Sequence, residues 1–559
     1  MLQYPKNKLA QLVIKACEFY EVKTLVISPG SRNAPLTIGF VNHPEMETLS
    51  VVDERSAAFF ALGIAQQTQK PMAVVCTSGS ALLNYYPAIA EAFYSQIPLI
   101  VISADRPKHM IDIADGQTIR QENVFANHSL FNANLVEGNE FLQANKKLLE
   151  EAFQTALHQK GPVHINVPFD DPLYELVPAM EDFNFTEIQK NAKSLLNEIP
   201  LAVNELQQFA DIWNSSTKKM VLFGENFPDE LIQTQLAHFT KDASVIVLTE
   251  VSSNVSHSKF INCIDKIIFP LDNQQLEELK SEILLTFGGM IVSKKVKEFL
   301  RNHPPRHHWH ISKTIAPNTY FCLNHHFKIS PELFFSQFFF LTKSKESSYQ
   351  TNWLQLKNHR INAHQAYLKD GIFADLKVFE IVLESLPMQS MLQLSNSSVI
   401  RYAQLFDINP AIQVFCNRGT SGIDGSTSTA IGAAFANPKQ TIFITGDVSF
   451  FYDQTALWNQ YIPKNFRIML INNQGGGIFR FIPGPSSTNV LDYFETPHQL
   501  SAEYLCKMYG FEYEKAQNES ELKSSLIKFY EDSGQPKLLE IVTPRTQNDV
   551  ILKAYFKSL

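Results

Sequence analysis

The sequence predicts an α/β protein built from three doubly wound parallel-sheet domains. Three observations carry this expectation. Short apolar runs alternate with helical patterns along the whole chain, which is the rhythm of βαβ units. The 559 residues amount to about three to four domains at about 150 residues each. Hydrophobic residues make up 45% and charged residues 19%, a balance that suits a well-cored chain and excludes a disordered one.

Taken in order, the first block spans residues 1–180, with strands expected at 24–28, 49–52, 72–77, 99–104 and 163–167. A polar stretch at 181–197 reads as a linker. The second block, 198–345, has expected strands at 220–224, 244–248, 266–269, 283–287 and 308–311. No GxGxxG follows any of them, so dinucleotide binding is not supported there. A charged, serine-containing segment at 343–350 and a helical pattern lead into the third block, 365–559. Its strands are expected at 391–394, 412–415, 441–445, 467–471 and 537–542. The first and third blocks share size and rhythm, although one sequence cannot establish a duplication.

Composition narrows the function classes. Lys plus Arg is 48 against 56 for Asp plus Glu, a net charge of −8, which argues against a large basic face for nucleic acid. It leaves room for a small basic pocket that takes an acidic metabolite. No apolar run reaches membrane-spanning length, and no signal-peptide pattern opens the chain. The six cysteines are scattered without a CxxC pair, as expected of reduced thiols in a cytoplasmic protein. His303, His307, His308, His310, His325 and His326 crowd the end of the second block. No cysteine has the spacing for a closed zinc site, so these are expected to be strand and loop histidines, with His308 and His310 on one face.

The strongest chemical signal is in the third block. The expected strand 441–445 runs into Gly446-Asp447, and 25 residues after Asp447 comes Asn472-Asn473-Gln474-Gly475-Gly476-Gly477. In a parallel sheet the ends of neighbouring strands meet at one edge, where ligands bind, so Asp447 and Asn473 can converge. A carboxylate, an amide oxygen and a backbone carbonyl suit Mg²⁺, which completes its shell with phosphates and water. Gly446 allows close approach of a phosphate. Asp and Asn are also common in ordinary turns, so the pair alone is weak. In the first block, Asp53-Glu54-Arg55-Ser56-Ala57 places Glu54 between a strand and a small-residue helix, where a carboxylate can serve simply as a helix-dipole partner.

Together these features resemble the thiamine diphosphate enzymes. Ser28-Pro29-Gly30-Ser31-Arg32-Asn33, Thr77-Ser78-Gly79-Ser80, Ser103-Ala104-Asp105-Arg106-Pro107 and Asn417-Arg418-Gly419-Thr420-Ser421-Gly422-Ile423-Asp424-Gly425 narrow the resemblance to the 2-succinyl-5-enolpyruvyl-6-hydroxy-3-cyclohexene-1-carboxylate synthase family, of menaquinone biosynthesis. It spans all three blocks, with the middle one matching only loosely. Val448 stands where many members of the superfamily have a glycine.

The resemblance implies a pyrimidine-binding domain, a transhydrogenase-like middle domain and a diphosphate-binding domain. It implies thiamine diphosphate and Mg²⁺, or Mn²⁺ in its place. Glu54 would share a proton with the aminopyrimidine ring. Gly446, Asp447, Val448, Ser449 and Asn473 would cradle the diphosphate, and Asp447, Asn473 and Gly475 would hold the metal. Ile423 would wedge the cofactor into its bent shape. The implied reaction decarboxylates 2-oxoglutarate and transfers the succinyl unit to isochorismate. Both substrates are dicarboxylates, which favours arginine forks. Arg32, Arg106, Arg401 and Arg418 are the candidates, with Arg401 and Arg418 on the succinyl carboxylate. Gln117 matches a position that polarises a substrate oxygen. Lys294 and Lys295 match a Lys-Arg pair, Lys295 departing from it, and a solvated-charge reading stands equally well for both. Ser397 touches diphosphate or substrate, or is a helix N-cap. The superfamily's design implies a homodimer at least, and commonly a homotetramer. Two rivals stay open: another thiamine diphosphate enzyme, such as a 2-oxoacid decarboxylase or an acetohydroxyacid synthase-like ligase, and a non-catalytic relative.

Overall fold

The computed structural model describes residues 3–186, 198–482 and 484–559. Residues 187–197 of the expected linker lie outside the described residues. Three parallel sheets organise the chain, so the α/β expectation holds. The first has the spatial order Glu47–Ser50, Thr24–Ile27, Met72–Cys76, Leu99–Asp105, Val163–Pro168, Phe131–Asn134. The second runs Val245–Thr249, Lys219–Phe223, Ile283–Phe287, His307–Ile311, His325–Phe327. The third runs Gln413–Cys416, Met391–Leu394, Thr441–Gly446, Phe466–Asn472, Lys537–Val542, Glu512–Ala516. Numbered along the chain, the first and third sheets share one strand order, 2-1-3-4-6-5. The similar rhythm of the two blocks therefore corresponds to a common topology.

The central strands are buried on both faces, as in Met72–Cys76 and Ile283–Phe287. Helices cover both sides of a parallel sheet, and such strands become continuous apolar runs that a sequence displays openly. Observed and expected strands accordingly agree to within two residues at each end, with one exception. The expected strand 266–269 is a helix, Ile264–Ile268. Ile264, Ile267 and Ile268 have i, i+3, i+4 spacing and are all buried, the period of a helix face. Besides the short antiparallel pair Tyr4–Pro5 and Leu176–Val177, three strands of the parallel sheets went unanticipated: Phe131–Asn134, His325–Phe327 and Glu512–Ala516. Each lies at a sheet edge, where one side meets solvent and polar residues are tolerated.

Helix Tyr349–Lys369 links the second sheet to the third. Tyr349 and Trp353 join the core of the middle unit, and Leu368 joins the core of the last. Helix Glu54–Thr68 of the first unit packs on helix Ser426–Ala436 of the third. A Cβ on Gly63 would lie 2.1 Å from the Thr429 carbonyl oxygen, and one on Gly432 would lie 2.0 Å from that of Phe60. The two backbones touch, so only glycine fits at the crossing.

Gly432→Val should cost at least about 3 kcal/mol, because its obstacle is backbone that cannot rotate away. A lower melting temperature or loss of soluble protein is expected. An unchanged melting temperature would show that the helices can part freely.

Candidate active site

Most of the candidate motifs fall just beyond the carboxyl ends of parallel strands. In the third sheet, Ser397, Asn417-Arg418, Asp447 and Asn473 follow four strands that are neighbours in the ladder. In the first sheet, Arg32, Glu54, Gly79 and Arg106 do the same. Parallel pairing brings these loops to one edge of each sheet, where ligands of α/β proteins bind.

Asp447 opens helix Asp447–Tyr452 and is 3% exposed. Its Oδ1 accepts from the Val448 amide at 2.7 Å and its Oδ2 from the Gly475 amide at 2.9 Å. Gly475 has φ +151 and its Cα faces the Glu495 carbonyl oxygen, a position that requires glycine. His498 Nε2 stands 3.3 Å from Asp447 Oδ2. The Asn473 Nδ2 donates to Asp375 Oδ2 at 3.0 Å, while its Oδ1 is buried without a partner. Leaving a buried acceptor unpaired costs free energy, and a bound cation would satisfy it. A carboxylate, a free amide oxygen and nearby backbone form a hard oxygen set that fits Mg²⁺ or Mn²⁺. In front of Gly446 a Cβ would meet only Val399, at 3.9 Å. Ser449 Oγ donates to the Ile423 carbonyl at 3.2 Å, tying the half-buried Ile423 loop to the Asp447 helix.

Glu54 is the first residue of its helix, but Asp53 does the capping, its Oδ1 accepting from the Ser56 amide at 3.0 Å. The half-buried Glu54 carboxylate instead accepts from Asn84 Nδ2 at 3.4 Å. Arg55 lies across Tyr452, the last residue of the Asp447 helix, donating to its carbonyl at 3.0 Å. This fastens the start of the Glu54 helix to the third unit.

The arginines form two groups. Arg32 is 5% exposed and donates to the Phe169 carbonyl at 2.9 Å. Burial lowers its pKa, and the Arg106 charge lowers it further. Arg106 reaches Asp115 at 3.7 Å and the Gly116 carbonyl at 3.4 Å, beside the exposed Gln117, whose backbone lies against Gly79 with φ +55. In the other group, Arg418 Nη1 donates to Asn396 Oδ1 at 2.6 Å, and Arg401 to the Ser397 carbonyl at 3.4 Å. Burial and then the Arg418 charge lower the Arg401 pKa. A buried arginine beside a half-buried one is an arrangement that can receive a carboxylate. Ser397 sits at the helix N-cap position with φ +69, yet its side chain makes no capping bond.

Among the residues near these groups that were not singled out in the sequence, three stand out. Asp375 is one. Glu91, 1% exposed, accepts from the Gly419 amide at 2.6 Å, the Thr420 amide at 2.7 Å and the Thr420 hydroxyl at 2.8 Å. It thereby clamps the Arg418 loop from the first unit. Lys297 is the third. Burial lowers its pKa against the opposing charge of Glu250, with Arg418 also close by. Lys295 is turned to Glu298 at 2.9 Å and over the Phe269 ring, and Lys294 is exposed. Burial pushes the Glu225 carboxyl up to about 8 and that of Glu250 up to about 7. No spacing in the sequence ties these residues to the site. The histidine cluster is engaged elsewhere: His308 and His310 share the Thr286 hydroxyl at 2.9 and 2.8 Å, and His303 bonds Glu277.

Comparison with known proteins fits this geometry. The N-terminal TPP binding domain of thiamine pyrophosphate enzymes matches residues 7–129, and the C-terminal TPP binding domain matches residues 397–541. A 2-succinyl-5-enolpyruvyl-6-hydroxy-3-cyclohexene-1-carboxylate synthase of Flavobacterium johnsoniae is 54% identical over 559 residues, covering 100% of both chains. The chain belongs to the 2-succinyl-5-enolpyruvyl-6-hydroxy-3-cyclohexene-1-carboxylate synthase family. The synthase of Flavobacterium psychrophilum is 53% identical, again over 100% of both chains, and that of Porphyromonas gingivalis 36% over 99% of this chain and 97% of its own. As a member of this synthase family, the chain is a thiamine diphosphate-dependent enzyme. The first matched segment contains Arg32, Glu54, Arg106 and Gln117, and the second contains Ser397 through Asn473. The Lys294–Lys295 loop falls between them.

Thiamine diphosphate with Mg²⁺ should stabilise this synthase by about 2.7 kcal/mol at 100 times its dissociation constant, as a ligand of the native state must. Asp447→Ala should abolish the corresponding rise in melting temperature. A rise that survives the substitution would place the metal elsewhere.

Proposed function

We infer that the protein decarboxylates 2-oxoglutarate and transfers the succinyl unit to isochorismate, forming 2-succinyl-5-enolpyruvyl-6-hydroxy-3-cyclohexene-1-carboxylate and CO₂ in menaquinone biosynthesis. The observation that carries this reading is the meeting of a hard-cation site with buried arginines on one sheet edge, in a chain alike over its whole length to synthases of that name. When bound, thiamine diphosphate supplies the electron sink for decarboxylation of a 2-oxo acid.

The chain's own residues do the rest. Asp447, Asn473 and the Gly475 carbonyl hold Mg²⁺ or Mn²⁺, and Gly446, Val448 and Ser449 line the diphosphate. Ile423, held against the Asp447 helix through Ser449, would pack against the cofactor. Glu54, spared from capping by Asp53, holds a proton at the pyrimidine ring. Arg401 and Arg418 take the distal carboxylate of 2-oxoglutarate, with Ser397 beside them. Their mutual repulsion in a buried setting favours an incoming anion. Arg32, Arg106 and Gln117 orient isochorismate, and the middle domain offers Lys297 beside Arg418, the Lys294 and Lys295 side chains being turned elsewhere.

The active unit we propose is a homodimer, or a homotetramer of two such dimers, in which the Glu54 half of one subunit serves the Asp447 half of another. Exposed apolar side chains on the third domain, Tyr493 at 89%, Tyr504 at 77% and Met508 at 68%, support a subunit contact there. A cytoplasmic setting suits six free cysteines.

Isochorismate loss and product mass, followed with 2-oxoglutarate, Mg²⁺ and thiamine diphosphate, test this reading. Turnover should require every component. Glu54→Gln should lower kcat by about 10²- to 10⁴-fold, the usual worth of a positioned acid or base. Arg418→Ala should raise KM for 2-oxoglutarate by about 10- to 100-fold, the loss of a hydrogen bond to a charged group, with cofactor affinity unchanged. Full activity of Arg418→Ala with 2-oxoglutarate would remove Arg418 from the substrate site.

A further inference from the structure

The Asn473 side chain poses a choice that the metal site depends on. A terminal amide has an oxygen end and an NH₂ end of nearly the same shape. Only the oxygen end can ligate a hard cation. Turned over, the same amide would present two N–H donors to the metal and forfeit a ligand.

Asp375 makes that choice. It opens helix Asp375–Ser385 and is 2% exposed. Its backbone amide donates to Asn548 Oδ1 at 2.9 Å, and its Oδ1 accepts from the Thr543 hydroxyl at 2.6 Å. Thr543 is itself anchored, its amide donating to the Asn472 carbonyl at 3.1 Å. The carboxylate is thus fixed from two sides, and its remaining oxygen accepts from Asn473 Nδ2 at 3.0 Å. In the reversed orientation that oxygen would face the amide oxygen, with two acceptors opposed in a buried place. The opposite end of the amide, Oδ1, is buried and has no partner. The satisfied NH₂ and the orphaned oxygen are two sides of one arrangement.

We propose that Asp375 is a positioning residue of the metal centre: it locks the Asn473 amide so that Oδ1 faces the cation held with Asp447. The role rests on the cofactor reading above. Such outer partners of ligands typically change metal affinity about 10- to 100-fold when removed.

The test is the affinity for Mn²⁺, read from the electron paramagnetic resonance signal of the free ion at saturating thiamine diphosphate. Variants are compared at a temperature where circular dichroism shows each one folded. Asp375→Leu should raise the Mn²⁺ dissociation constant by about 10- to 100-fold. Asp375→Asn, which keeps an acceptor oxygen, should raise it less but measurably, and it carries the test if the leucine variant does not fold. Thr543→Val, which removes a prop of Asp375 but leaves the bond to Asn473, should stay closer to the parent than either. Asn473→Asp supplies the discriminating background. A carboxylate has oxygen at both ends and needs no orienting, so there the substitution of Asp375 should no longer weaken Mn²⁺ binding. A merely structural Asp375 would weaken it equally in both backgrounds. Folded Asp375 variants that bind Mn²⁺ as tightly as the parent would overturn the role. A parent that binds no Mn²⁺ with thiamine diphosphate would overturn the cofactor reading and this inference with it.

Discussion

Two helices meet with no side chain between them, and the placement of the functional loops within each chain depends on that contact. At Gly63 and Gly432 the backbones of Glu54–Thr68 and Ser426–Ala436 touch, and Gly425 lies against the Phe59 ring. A close-packed seam of this kind leaves neither helix free to slide. One helix begins at Glu54; the other begins immediately after the loop that carries Arg418 and Ile423. The first and third sheets are thereby locked together through the elements that deliver their functional residues. Arg55 on Tyr452 and Glu91 on the Gly419–Thr420 amides extend the same fastening.

Parallel topology explains why so much chemistry collects in one place. Each strand returns through a helix, so successive loops at the carboxyl ends fall on one edge. The polar residues there are buried, and they are under electrostatic tension. Arg32 and Arg401 each have a lowered pKa from burial and from a neighbouring arginine. Asn473 keeps an unpaired oxygen. A protein designed only for stability would avoid each of these. An anionic substrate and a metal-bound diphosphate would relieve each of these, so binding would offset what the arrangement costs the fold.

The sequence by itself determined the parts whose physics is local. The central strands were legible because two buried faces impose a continuous apolar run, and the motifs from Arg32 to Asn473 because each is contiguous and sits at a strand end. The tertiary structure decided what depends on neighbours distant along the chain. Edge strands such as Glu512–Ala516 carry charged residues and acquire their form from the adjacent strand. Ile264–Ile268 was a choice between two periods too short to separate in five residues. Asp375 and Asn473 are 98 residues apart, and Glu91 and Gly419 are 328 apart. An Asp or a Glu on an apolar helix has no local sign of such a partner. Which end of the Asn473 amide faces the metal is likewise set by the carboxylate behind it, because hydrogen-bond direction is a property of assembled neighbours and not of spacing along a chain.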